Sequence, residues 1–381
     1  MTWKLLAGAA LVTGVLASGL GSLACRPANA DLRQQPLRGT LVLTADMQVS
    51  RAAHTATALP DGRVLVVGGF GTDGEASVAG AELYDPSVDG FMPLPPMVAR
   101  RHSHSATLLP NGRVLIAGGY GEGGTTLATA ELFDPATGSF APTGPLNAAR
   151  ASHMAVRLLD GRVLIAGGVG PNWTFLSSAE IYDPATGSFS WTGSLSAALI
   201  ARARVRLADG RVLILGGHRG RGSHITVFAS AEIYEPTRGV FTPAGEMLTP
   251  RHKHDAVLLP DGTVLITGGS DERDDRGMYN SSELYDPRTA TFHAGPRMRL
   301  ARHKHTGTSV VLPSGLVLIA GGAPVAEVYD PRTRTFALVG GNLRLPGQFS
   351  AVAPLRDGRV LITGGYGNGG GPRASAWLYR P

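Results

Sequence analysis

The side chains best suited to chemistry in this sequence are arginines and histidines at one recurring spacing. Arg-x-x-His occurs as Arg51/His54, Arg101/His104, Arg150/His153, Arg251/His254 and Arg302/His305, and two further positions in the series break it, as Leu199/Arg202 and Gly347/Ser350. Three copies carry a second histidine two residues earlier, at His102, His252 and His303. Residues two apart on a strand share a face, so His102/His104, His252/His254 and His303/His305 are candidates to converge on one metal ion or anion. The recurrence itself argues for a scaffold role, because one active site rarely needs its residues five times. On that reading the arginines and histidines pair with a recurrent glutamate or with loop carbonyls. The extra histidines are not repeated everywhere and are the better candidates for binding, whereas no residue stands out as catalytic.

Two segments add chemistry of their own. His218, Arg219, Arg221 and His224 form a basic loop, and Trp173 with Phe175 offers aromatic faces on another. Exposed aromatics beside arginines suit a sugar or peptide partner. Asp271, Glu272, Asp274 and Asp275 form an acidic run interleaved with arginine. Its spacing is not that of an EF-hand, so a solvated loop is expected in place of a calcium site, and no metal or cofactor is expected. The only cysteine is Cys25.

The elements that must position these groups repeat with a period near fifty residues. Gly68-Gly69, Gly118-Gly119, Gly167-Gly168, Gly216-Gly217, Gly268-Gly269, Gly321-Gly322 and Gly364-Gly365 follow one another at spacings of 50, 49, 49, 52, 53 and 43. Each pair ends an apolar, β-branched run such as Val114-Leu115-Ile116, which has the composition of a buried strand. Before the run stands a turn such as Pro60-Asp61-Gly62, Pro110-Asn111-Gly112 or Pro260-Asp261-Gly262, which predicts a two-residue hairpin turn. After it come Glu82-Leu83-Tyr84-Asp85-Pro86 and its copies headed by Glu131, Glu180, Glu232, Glu283 and Glu327. A turn and a strand led by Phe91, Phe140, Phe189, Phe241, Phe292 or Phe336 complete each unit. Four short antiparallel strands per unit are therefore expected.

The Gly-Gly pair, the aromatic-Asp-Pro after it and the later aromatic resemble the kelch repeat over essentially all of residues 40–381, with phenylalanine where that family usually has tryptophan. The resemblance implies an all-β, seven-bladed β-propeller with a central channel. The seventh unit stops at Leu378-Tyr379-Arg380-Pro381 without its last strand. Leu41 and Met47 are spaced like Phe91 and Met97, so a strand near Thr40–Ala45 is expected to complete the last blade and close the ring. The shortest post-glycine loop, Ala323-Pro324-Val325-Ala326, predicts a notch at blade six.

The first thirty residues differ in character. Lys4, an apolar stretch from Leu5 to Ala24 and Ala28-Asn29-Ala30 have the form of a secretory signal peptide, with cleavage expected after Ala30 and a short leader over 31–39. The alternatives are a lipoprotein anchored at Cys25 and a retained membrane anchor. Cleavage would remove Lys4 and Arg26, taking the net charge from +6 to +4, since residues 1–30 contain no acid. The remaining arginines are dispersed, with no concentrated patch, which speaks against nucleic acid. An exported, monomeric scaffold that presents its loops to a protein or glycan is the leading expectation, and an enzyme is the lesser one. Among kelch-type enzymes, galactose-oxidase-like copper enzymes need a tyrosine cross-linked to a cysteine, and no cysteine follows Cys25. Cofactor-free enzymes like the bacterial sialic-acid mutarotases use arginine with an acid, and composition leaves them open. A lipid-tethered surface assembly component is the third expectation.

Overall fold

The computed structural model describes residues 38–71, 77–200, 202–341, 344–345, 347–367 and 370–381, so the expected signal peptide over 1–30, with Cys25, lies outside the described residues. Residues Leu37–Pro381 form one compact unit. It contains seven four-stranded antiparallel sheets, one per Gly-Gly repeat. In each, the apolar run is the second strand: Val64–Val67, Val114–Ala117, Val163–Ala166, Val212–Leu215, Val264–Thr267, Val317–Ile319 and Val360–Thr363, buried on both faces throughout. Both faces are apolar because each sheet packs between two others. Leu65, Val67 and Leu83 of blade one, for example, meet Val114, Ile116 and Phe133 of blade two. An equivalent apolar layer fills every blade-to-blade interface, so the core is a ring of wedges with no single centre.

The first strands stand side by side around the axis: Thr55–Ala58, Ser105–Leu108, Met154–Arg157, Ala203–Arg206, Asp255–Leu258, Ser309–Val311 and Ala351–Pro354. Consecutive residues of several of these strands, such as Thr55 and Ala56 or Ser105 and Ala106, line a cavity between them. The third and fourth strands are locked by an aromatic pair across the ladder, as in Tyr84–Phe91, Tyr182–Phe189 and Tyr329–Phe336, with ring centroids 5.0, 4.8 and 4.8 Å apart. In blade seven Tyr379 meets Leu41 instead, because Thr40–Leu43 pairs antiparallel with Ala376–Arg380. The chain's first described strand thus completes its last blade. It also bonds to blade six, where the Leu41 amide donates to Gly340 O at 3.0 Å.

The turns differ from the two-residue hairpins expected. The Leu59 amide donates to Arg63 O at 2.8 Å and the Gly62 amide to Leu59 O at 3.0 Å, which encloses a three-residue loop. Only the glycine has a positive φ, +97° at Gly62, while Asp61 accepts a hydrogen bond from the Arg63 amide at 3.0 Å. Aspartate serves this turn through its side chain and not through a left-handed backbone.

Candidate functional site

The recurrent arginines are buried ion-pair partners. Arg51, Arg101, Arg150, Arg251 and Arg302 reach Glu82, Glu131, Glu180, Glu283 and Glu327 at 2.7, 2.7, 2.8, 2.7 and 2.7 Å. Each guanidinium also donates to a carbonyl of its own Gly-Gly turn, as Arg51 does to Gly68 O at 2.8 Å. Each glutamate in turn accepts backbone amides from the segment entering the blade, as Glu131 does from Val98 and Ala99. In blade four Arg202, at the histidine position, supplies the cation, 2.9 Å from Glu232. Blade seven has neither partner: Gly347 stands at the arginine position and Trp377 at that of the glutamate.

The paired histidines do not converge. Between them lies a residue in the left-handed region, Ser103 (φ 51°), Lys253 (φ 54°) or Lys304 (φ 53°), and this breaks the strand alternation that would put both rings on one face. The second histidine turns between blades: Nε2 of His104 meets Thr55 Oγ1 at 3.1 Å, His153 meets Ser105 Oγ at 2.9 Å, and His305 meets Thr267 Oγ1 at 3.3 Å. Among the described residues His254 finds no partner, since blade four offers only Ala203 and Leu215 at the equivalent positions. Burial and the adjacent Arg51 hold the His54 ring down to about 3.

The left-handed residues form a collar at one end of the channel. Ala53, Ser103, Ser152, Lys253, Lys304 and Phe349 occupy one position in six blades, all with φ between 51° and 56°. Their backbones hand hydrogen bonds from blade to blade: Ser152 to Ser103 O, Ser103 to Ala53 O, Ala53 to Phe349 O, Phe349 to Lys304 O and Lys304 to Lys253 O, all within 2.9–3.2 Å. Non-glycine residues pay roughly 1–2 kcal/mol each for this conformation, and such strain concentrates at functional surfaces.

Outside the collar the rim has two halves. One is aromatic. Phe349 and Tyr366 lie 5.9 Å apart, Tyr366 and Phe70 6.4 Å, Phe70 and His102 3.6 Å, His102 and Tyr120 5.1 Å, and Tyr120 and Trp173 5.9 Å. Arg221 ends the arc, its Cζ 3.8 Å from the Trp173 ring centroid. The other half is charged. His218 and His252 share a 2.8 Å Nδ1–Nδ1 hydrogen bond, and His252 also contacts Ser270 Oγ at 2.9 Å. Lys253 pairs with Asp274 at 2.7 Å, and Asp275 accepts from Lys304 at 2.8 Å and meets His303 Nε2 at 2.6 Å. The Lys304 ammonium, with His303 beside it, holds the Asp275 carboxyl down to about 2. Arg219 and His224 are exposed on the hairpin loop and join neither half.

Among known families the kelch motif matches residues 150–190, which is blade three from its arginine to its outer strand. The other six blades repeat the same strands and turns. The chain is a seven-bladed β-propeller that carries a kelch motif in its third blade. A comparison with curated proteins finds no match. Of solved structures, a fungal alcohol oxidase of the AA5 family in complex with copper is similar to the propeller at 17% identity with a TM-score of 0.71, over 90% of this chain and 76% of that one. With 1037 solved chains matching, this likeness fixes the fold and leaves the activity open.

The propeller's donors do not suit that copper. Among the described residues the one cluster with metal-ligand spacing is Asp274, Asp275 and His303, and both carboxylates are already neutralised by lysines. No cysteine is present there to modify a tyrosine. The acidic run behaves as solvated loop elsewhere too, with Asp271 turned to Arg273 at 2.5 Å.

Two features of the propeller were missed in the sequence. Arg204 projects into the channel from a position where the neighbouring blades have Ala56, Ala106, Ala155 and Ala256. Blade six inserts Thr306-Gly307, which caps the same cavity. Aligning the repeats on their Gly-Gly pairs exposes both.

Proposed function

We propose that the kelch propeller is an exported binding module that takes a protein or glycan partner on the collar end of its channel. The observation that carries this reading is the two-part rim, an aromatic arc facing a cluster of charge on a rigid ring. Aromatic faces give sugars and peptides contact area at small entropic cost, and the charged half supplies orientation. The kelch fold favours a protein partner in general, and the rim's Trp173, 43% exposed, and Phe349, 37% exposed, fit either class.

The test uses residues 31–381 on a glycan panel and in pull-downs from the cell envelope, with Trp173→Ala/Phe349→Ala as the comparison. A glycan or protein bound by the parent and at least tenfold more weakly by the double variant supports the reading. Equal capture by both would remove the rim as the binding surface. Fractionation of the intact chain tests export, and recovery in the cytoplasm would end that part of the proposal.

A further inference from the structure

The channel carries a site that the rim does not use. Beneath the collar lies a cavity of about 200 Å³, predominantly polar, whose lining includes Thr55, His104, Ser105, His153, Arg204 and Gly307. That volume is room for roughly six or seven waters. Arg204 is its one cation, on the channel face of the Ala203–Arg206 strand. The five recurrent scaffold arginines give both terminal nitrogens to a carboxylate and carbonyls and leave only Nε unpartnered, but Arg204 has a single long contact, Nε to Ala155 O at 3.5 Å. Among the described residues its two terminal nitrogens have no protein partner. Asp255 is the carboxylate nearest in effect, and it is committed elsewhere: it accepts the Gly307, Thr308 and Ser309 amides at 2.7, 3.0 and 2.8 Å. It forms no ion pair with Arg204 among the described residues.

The hydroxyls on the cavity wall are polarised to donate. His104 and His153 each hold one hydroxyl through Nε2, on Thr55 and Ser105, while both Nδ1 atoms are buried without a partner. With the proton on Nε2, the tautomer that leaves no buried N–H without an acceptor at Nδ1, the two hydroxyls are freed to donate. Each ring then donates to its hydroxyl, and the hydroxyl's own proton is free for the cavity. Burial, with Arg150 and Arg204 nearby, pushes the His153 ring down to about 3, which keeps it neutral. Farther along these strands, Arg157 and Arg206 donate, among the described residues, only to carbonyls, Leu108 O at 3.2 Å and Arg157 O at 2.9 Å. The wall is therefore positive, and its low-dielectric surroundings strengthen attraction for a negative ligand.

We infer that the channel of this propeller binds a small oxyanion, a carboxylate or phosphate group, between the Arg204 guanidinium and the hydroxyls of Thr55 and Ser105. A guanidinium fork matches two oxygens of such a group, and each hydroxyl adds one donor.

The probe is inorganic phosphate, titrated into residues 31–381 at fixed ionic strength with chloride as the balancing anion, read by thermal unfolding and by calorimetry. Acetate in a parallel arm separates carboxylate from phosphate preference. A saturable rise in melting temperature that chloride does not produce is expected. Arg204→Gln should abolish it, and Ser105→Ala should weaken binding about tenfold, which is ~1.4 kcal/mol. No saturable response to either anion in the parent protein would overturn the inference, as would an unchanged response in Arg204→Gln. Should that variant fail to fold, Ser105→Ala decides the location alone. Trp173→Ala/Phe349→Ala should respond to phosphate as the parent does, so the channel site and the rim stand or fall separately.

Discussion

The most consequential residues in this propeller are charged and wholly buried. Arg101 is 0% and Glu131 2% exposed, and the arginine's terminal nitrogens and the carboxylate are satisfied by each other and by backbone. Removing one partner strands the other, so Glu131→Ala should cost about 3–5 kcal/mol in urea unfolding. The double variant Arg101→Met/Glu131→Met should lose less than the two single losses summed, because blade seven dispenses with both partners at once. Strict additivity would show that the pair is not coupled. The interblade histidines predict a pH dependence. His54 and His153 sit at about 3 when folded and near 6.5 when unfolded. Below about pH 6.5 the unfolded chain takes up protons that the folded chain refuses, so stability falls toward pH 3 and is insensitive to these rings above pH 7. Each ring contributes a slope of up to about 1.4 kcal/mol per pH unit. His153→Gln should flatten the decline between pH 6.5 and 5, and an unchanged slope would mean that the ring is charged in the native state.

Among the elements, the strand at Thr40–Leu43 has the most leverage. It buries Leu41 against the blade-six and blade-seven layer and is the outer strand of the closing blade. Deleting residues 31–46 should lower the stability of the whole ring, since the exposed edge of Ala376–Arg380 would have to be left unpaired. Thermal unfolding identical to the parent would refute closure as a source of stability. The left-handed collar acts at the same scale: one residue in each of six blades redirects its neighbours, so the histidine pairs divide their work. In blades two, five and six one ring goes to the rim, while the other turns between blades and, in blades two and six, holds a neighbouring hydroxyl.

As a whole molecule the propeller separates stability from recognition. Its apolar layers lie between blades, whereas the rim residues sit on loops that add little to them. Trp173→Ala/Phe349→Ala should therefore shift the melting temperature by no more than a few degrees while removing partner binding. A large loss of stability would show that the rim is part of the core. The ring also makes a channel whose composition no single blade controls, which is how one arginine among alanines changes its character.

Much of this was legible in the residues themselves. Seven Gly-Gly pairs, the apolar run before each and the Tyr-Asp-Pro after it report local geometry, and local geometry repeats wherever the sequence does. Ring closure was readable for the same reason, because Leu41 and Met47 keep the spacing of a complete blade. The turns came out one residue longer, since the glycine alone carries the positive φ. Which way a histidine points was not readable: Ser103, Lys253 and Lys304 give no sign of a left-handed backbone until neighbouring blades bond through it. The rim and the channel were hidden for a related reason. Phe70, His102, Tyr120 and Trp173 come from three repeats, and Arg204, Thr55 and Ser105 also come from three. Their meeting depends on the ring closing, which is a long-range event that spacing along the chain does not encode.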